Sequence, residues 1–376
     1  MLRTAYWILA LVALATAQSA ETPRTPGRVT ASPNRPAHFP HRIWAACDFE
    51  GRTPDYGWFG PADTNNIPNY PGNATALGVE TKPYKNVSAV MTGINPVPGP
   101  RMGKENHLFL RYFLRGATNA TFQHFSLTRE DNQHINVSGL TQGQWTELDV
   151  NFSRDARRND GSAQTFGDGE RMDDFKVFAG NPAQATACDL LIDDVIFYAN
   201  DPALPAESEP FPNRIIFLAA FDTGPKEKYW LGDFELVEQP PTNGYWRAAK
   251  SVPRKDGKAV MVRLQIEPPR PVGAHTKLRF RYHLMGASAM TVQVFDATVQ
   301  DNRHVNLRGL KTGEWTTAYV DFNHDSRRND GTRDAFRAGN KVDDVFFFVP
   351  SEPGKNATLF VDEVVLFDAG SASVPR

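Results

Sequence analysis

Four polar side chains occur twice in this chain at one fixed spacing. Arg111, Gln123, His134 and Asn136 recur 170 positions later as Arg281, Gln293, His304 and Asn306. Arginine presents a planar fork to carboxylate or sulfate, while glutamine, asparagine and neutral histidine both donate and accept hydrogen bonds. Gathered on one face, such a row would bind hydroxyl groups and, through its arginine, an acidic substituent. Period-2 alternation places them on the outward side of strands. In "LRFRYHL", Leu278, Phe280, Tyr282 and Leu284 point one way and Arg279, Arg281 and His283 the other. In "MTVQVF", Val292 and Val294 suit a core, leaving Thr291 and Gln293 outside. In "RHVNL", Val305 and Leu307 are core, leaving His304 and Asn306 outside. The competing reading is structural: a histidine in "DNxHxN" can simply satisfy turn backbone groups.

The elements that must hold these residues are also written twice. "LFLRYFLRGATNATFQHFSLTREDNQH" and "LRFRYHLMGASAMTVQVFDATVQDNRH" align without a gap, and the likeness runs on to "LLIDDVIFY" and "LFVDEVVLF". A repeat this long is a whole domain rather than a solenoid unit. In the second copy the pattern predicts strands near 215–221, 244–250, 258–265, 277–284, 290–298, 303–308, 315–322, 343–349 and 357–367. No segment holds a helical period over three turns, so the expected fold class is all-β: two tandem β-sandwich domains of jelly-roll form. The expected order is a signal peptide at 1–17, a Pro-rich spacer at 18–40, one domain at 41–200, a Pro-rich linker at 201–212 and a second domain at 213–370. The tails "DARRNDG" and "DSRRNDG" read as turns. Asp155 and Asp325 there are expected to pair with the neighbouring arginines and brace the loop. The sharper alternative is that the arginines rim a groove.

The 376 residues carry a formal net charge of −2, with basic residues spread along the chain. That balance argues against nucleic acid or an anionic membrane as partner. Arg3, the apolar run "AYWILALVALATA" and Ala15-Thr16-Ala17 match a signal peptide and fall short of a membrane span. A secreted, periplasmic or cell-surface monomer with no membrane span after cleavage is expected. An exported context permits a disulfide between the two cysteines, Cys47 and Cys188. Both sit in the first copy and both are missing from the second; two buried thiols are the alternative.

Each copy opens on a strand closing on an acid, "DFE" or "FD", followed by Trp58 or Trp230, and closes on "IDDV" or "VDEV". In these motifs the chain resembles jelly-roll carbohydrate-binding modules, also called galactose-binding-like domains. The resemblance spans nearly all of each copy, through short motifs. It implies that first and last strands lie together and that their acids hold a structural calcium ion: Glu50 with Asp193, and Asp222 with Asp362. The bland alternative is acids that pair with Arg or Lys. Sugar binding also asks for aromatic platforms. Tyr56 and Tyr229, in "PDYGWFG" and "KEKYWLG", are the candidates, with Trp58 and Trp230 expected to plug the sandwich ends and Trp145 and Trp315 expected in the core.

The function expected from these features is a secreted protein whose tandem modules bind a polysaccharide, neutral or acidic, on a polar concave sheet face. Two alternatives stand beside it. One is a jelly-roll polysaccharide lyase, in which Arg111 would neutralise a uronate and His134 abstract a proton. The other is a structural or adhesive surface protein with no small ligand.

Overall fold

The computed structural model describes residues 28–31, 35–49, 58–59, 62–66, 77–83, 90–94, 99–163, 167–179, 188–222, 230–238, 247–350 and 356–369. Every strand expected in the second copy is present there. They form two sheets. An inner sheet runs Glu235–Glu238, Arg247–Lys250, Thr358–Asp368, Thr276–Met285 and Trp315–Asp321, with Arg214–Ala219 also paired to Thr358–Asp368. An outer sheet runs Gly232–Asp233, Ala259–Pro271, Lys341–Pro350, Ala289–Asp296 and Asp301–Arg308. Alternate residues such as Phe280, Val292, Val294, Phe347 and Leu366 fill the space between the sheets. The chain crosses from inner to outer sheet at Gly286, which adopts φ 72°. A Cβ there would lie 2.5 Å from the Asn356 carbonyl oxygen, so both the turn and the close approach require glycine.

The first domain repeats the arrangement. Its inner strands are Arg42–Cys47, Asp189–Asn200, Glu105–Arg115 and Thr146–Asn151; its outer strands are Val90–Ile94, Met172–Ala179, Asn119–Ser126 and Asp131–Ser138. Leu77–Pro83 pairs with both sets and joins them. Part of the expected N-terminal spacer is a strand: Arg28–Thr30 lies parallel to Asp131–Ser138 at the edge of the outer sheet.

The expected disulfide is not formed; Cys47 and Cys188 are separate buried thiols. The register explains this. Cys47 lies opposite Val195 on the closing strand, whereas Cys188 precedes the start of that strand at Asp189. At about 3.3 Å per residue the two are roughly 20 Å apart, and a disulfide needs Cα atoms within about 7 Å.

The inner sheets of the two domains pack against each other. Ile43, Phe109, Ile196 and Tyr198 of the first meet Ile215, Leu218, Val365 and Phe367 of the second in a shared apolar core. Strands buried on both faces carry apolar residues on both, which is why Arg42–Cys47 is buried at every position. Charged pairs cross this interface reciprocally. Arg42 donates to Asp222 at 2.6 Å, and Arg214, at the matching position of the second copy, pairs with Asp48 at 3.3 Å. Arg270 also reaches Asp48 at 3.3 Å.

The Pro-rich linker is not a free spacer. Phe211 is buried in the shared core beside Phe39, whose backbone N–H donates to the Glu209 carbonyl. Glu207 accepts from Arg279 at 3.1 Å and from the Tyr319 hydroxyl at 3.0 Å. Composition predicts an extended chain here, and Phe211, buried in the shared core with Phe39 of the N-terminal spacer, ties it down.

Candidate functional site

Directly opposed residues of antiparallel strands share a face, so the strand registers generate the site. On the outer sheet of the second domain, Arg263, Phe346, Gln293 and His304 stand side by side across four strands. One row along lie Met261, Phe348, Thr291 and Asn306, and on the other side Gln265, Asp344, Phe295 and Asn302. The intervening residues Val262, Phe347 and Val292 are fully buried, so the three rows face outward. The face is hollowed: Thr291, Gln293, His304, Asn306, Phe348 and Arg254 line an open depression of about 560 Å3. Thr291 donates to Asn306 at 2.6 Å and Gln293 to Asn302 at 2.7 Å, which holds each side chain in one orientation.

The first domain carries the same lattice. Lys176, Gln123 and His134 form the middle row, and Phe178, Thr121 and Asn136 the next. Thr121 donates to Asn136 at 2.8 Å and Gln123 to Asn132 at 2.9 Å. The tail "RRNDG" extends both rows. Arg157 is registered opposite His134, and Arg327 exchanges backbone hydrogen bonds with His304 at 2.9 and 3.0 Å. The second arginine of each tail is the brace: Arg158 binds Asp131 at 2.6 Å and Arg328 binds Asp301 at 2.8 Å. Hydrogen bonding to Arg328 holds the Asp301 carboxyl below its usual range. Asp155 also pairs with Arg154, and Asp325 with His324. The loop is braced by the first aspartate of "DNxHxN", 27 positions upstream.

Gln123, His134 and Asn136 therefore come together, as do Gln293, His304 and Asn306, and the two arginines predicted to join them do not. Arg111 and Arg281 do point outward from their strands, but those strands belong to the inner sheet. Arg111 is buried at the domain junction, where it binds Asp194, Glu147 at 3.0 Å and Asn213 of the second domain. Burial opposes ionisation of Glu147, but Arg35 and Arg111 outweigh it and hold the carboxyl below its ordinary range. Arg281 binds Asp362 at 3.2 Å, lies over Trp315 and lines a cleft of about 230 Å3 between the domains. With Arg111 and His134 on different sheets, the pairing needed for the lyase reading is absent from this geometry.

The acids offered to calcium have other partners. Asp222 is held by Arg42 and Asp362 by Arg281, while Asp193 accepts from the Asp194 backbone N–H at 2.8 Å. A guanidinium stands against two of these carboxylates. A bulge follows each acid, and Asp194 (φ 46°) and Glu363 (φ 45°) adopt left-handed backbone. Bulges re-aim side chains. Here Asp194 meets Arg111, and Glu363 meets Arg279 at 3.3 Å. Glu50, Tyr56 and Tyr229 lie outside the described residues. Trp230 is buried against Phe221 and Phe234 as a plug, whereas Trp145 and Trp315 are half-buried at the sheet edge rather than in the core.

Sequence reasoning missed the aromatic platform. Phe346 and Phe348 are half-exposed and stacked, ring centroids 5.3 Å apart at 11°. Arg263 lies over Phe346 and Arg254 over Phe348. The signal was the run "FFF": only the middle phenylalanine of an alternating strand can enter the core. Lys176 and Phe178 occupy the matching places in the first domain, so its platform is half cationic. Burial, and then Asp344, push the Asp343 carboxyl up; burial also outweighs Arg263 in raising Asp344.

No protein-family model matches the chain, and no curated protein does. Solved structures match in architecture, which resembles jelly-roll carbohydrate-binding modules in tandem. One is the N-terminal CBM22-1-CBM22-2 tandem domain from Paenibacillus barcinonensis Xyn10C, at 14% identity and TM-score 0.31, covering 89% of this chain and 99% of that one. Another is the tandem CBM51 modules of the family 98 glycoside hydrolase of Streptococcus pneumoniae SP3-BS71, at 6% identity and TM-score 0.21, covering 78% and 84%. Isomalto-dextranase of Arthrobacter globiformis T6, complexed with panose, matches at 9% and TM-score 0.26, covering 79% and 37%. At these values no ligand transfers from the matches. No helix among the described residues is long and apolar enough to cross a membrane.

Proposed function

We propose that this is an exported glycan-binding protein, each domain taking a segment of polysaccharide on the outward face of its outer sheet. The observation that carries this is the lattice itself. In both copies an amide, an imidazole and an arginine stand in register, beside a row that includes a half-exposed phenylalanine. Amides and imidazole match sugar hydroxyls, phenylalanine matches the apolar face of a pyranose, and Arg157 and Arg327 match carboxylate or sulfate groups. The signal-like N-terminus supports export.

Affinity electrophoresis of the mature protein through gels containing glucuronoxylan, alginate or hydroxyethylcellulose tests the reading. Retardation by at least one is expected. It should weaken in the His304→Ala and His134→Ala variants, and more in their combination. A folded protein retarded by none of the three defeats the proposal, as do variants that migrate like the parent. Release of unsaturated products, read by ultraviolet absorbance, would instead favour a lyase.

A further inference from the structure

The two candidate faces point away from each other. Each inner-sheet strand has one side in its own domain's core and the other in the shared core: Leu108 and Leu110 face inward while Phe109 faces the second domain, and Leu366 faces inward while Phe367 faces the first. The outer sheets lie on the far side of each core. The layers therefore run outer sheet, inner sheet, inner sheet, outer sheet, with the two polar lattices on the outermost surfaces. Sheets stack about 10 Å apart, so three spacings separate these surfaces by about 30 Å or more. The arrangement is pinned by apolar packing, by buried Arg42–Asp222 and Arg214–Asp48 pairs, and by a linker bonded to both domains.

From this geometry we infer that the protein bridges two separate polysaccharide chains. A second site raises avidity on one chain only if that chain can engage both at once. Opposed faces on a rigid body deny this to a chain lying across either one, and they leave the second face open to a different chain. This function, cross-linking, rests on the glycan-binding reading above.

A bridging assay tests it separately from binding. Beads coated with glucuronoxylan, alginate or hydroxyethylcellulose are loaded with protein, washed, and offered the same polysaccharide in fluorescent soluble form. Loaded beads should capture the soluble chain several-fold above bare beads. The first-domain variant Gln123→Ala/His134→Ala and the second-domain variant His304→Ala/Phe348→Ala should each still load, yet lose most of the capture. Wild-type protein that loads without capturing overturns cross-linking and leaves binding intact. Protein that loads on none of the three overturns both. A readout needing no ligand is the distance between spin labels on Asn136→Cys and Asn306→Cys. A separation of about 30 Å or more is expected, and a shorter one places the faces together and overturns the inference.

Discussion

At the scale of single residues, burial decides chemistry more than identity does. His124 sits in the first core among Phe152, Phe175, Phe197 and Trp44, and burial pushes its imidazole down to about 3. The unfolded chain protonates near the ordinary value of about 6.5 while the folded one does not. Its contribution to stability is therefore present above pH 6.5 and is lost as pH falls toward 3, at about 1.4 kcal/mol per pH unit. Val294 holds the matching place in the second domain. Urea melts of His124→Val should lose stability less steeply than wild type between pH 6 and 4; parallel curves would show that His124 is not neutral in the fold. Phe348 is the opposite case, a large apolar ring only partly buried. Phe348→Ala should weaken second-domain binding up to about tenfold, the value of one stacked ring, with little change in melting temperature. Titration calorimetry of the isolated interaction checks the first and a thermal melt the second.

At the scale of elements, strand register overrules motif logic. Two cysteines on the opening strand and before the closing one read as a pair until the register separates them along the strand direction. Dithiothreitol should leave the melting temperature unchanged, and unreduced, denatured protein should titrate two thiols. Titration of none would restore the disulfide. The acids at the strand bulges, expected to hold calcium, lie beside arginines: Asp222 beside Arg42 and Asp362 beside Arg281. EGTA tests the calcium expectation: a fall of several degrees in melting temperature shows a cation among these carboxylates, and an unchanged value shows that the arginines suffice. The nine strands of the second copy were legible because each alternates or forms a short apolar run between turn residues. The platform was legible in "FFF", had its middle residue been assigned to the core. Arg157 and Arg327 were readable as turn residues but not as neighbours of the histidines, because that pairing closes across a loop.

At the scale of the whole molecule, the shared core makes the two domains one body. Asp48 is buried with Arg214 and Arg270, both on the second domain. Removing one partner of a buried pair strands the other charge, at about 3–5 kcal/mol. Asp48→Ala should therefore lower stability by about that amount although it touches neither lattice. Calorimetry should show one cooperative transition in the wild type and a split or broadened one in the variant. Two well-separated transitions in the wild type would show that the domains melt independently.

What the amino-acid sequence determined by itself was the duplication, the all-β class, the main strands and, within their regular stretches, which residues alternate to each side. These are local properties: repetition is visible directly, and a period of 2 follows from the geometry of the strand. What only the tertiary structure decided was the surroundings of each outward side. Arg111 and His134 are both outward, yet one meets buried acids of the domain junction and the other meets solvent. That difference arises from which sheet each strand joins and what covers that sheet, and both depend on contacts between residues far apart in the chain.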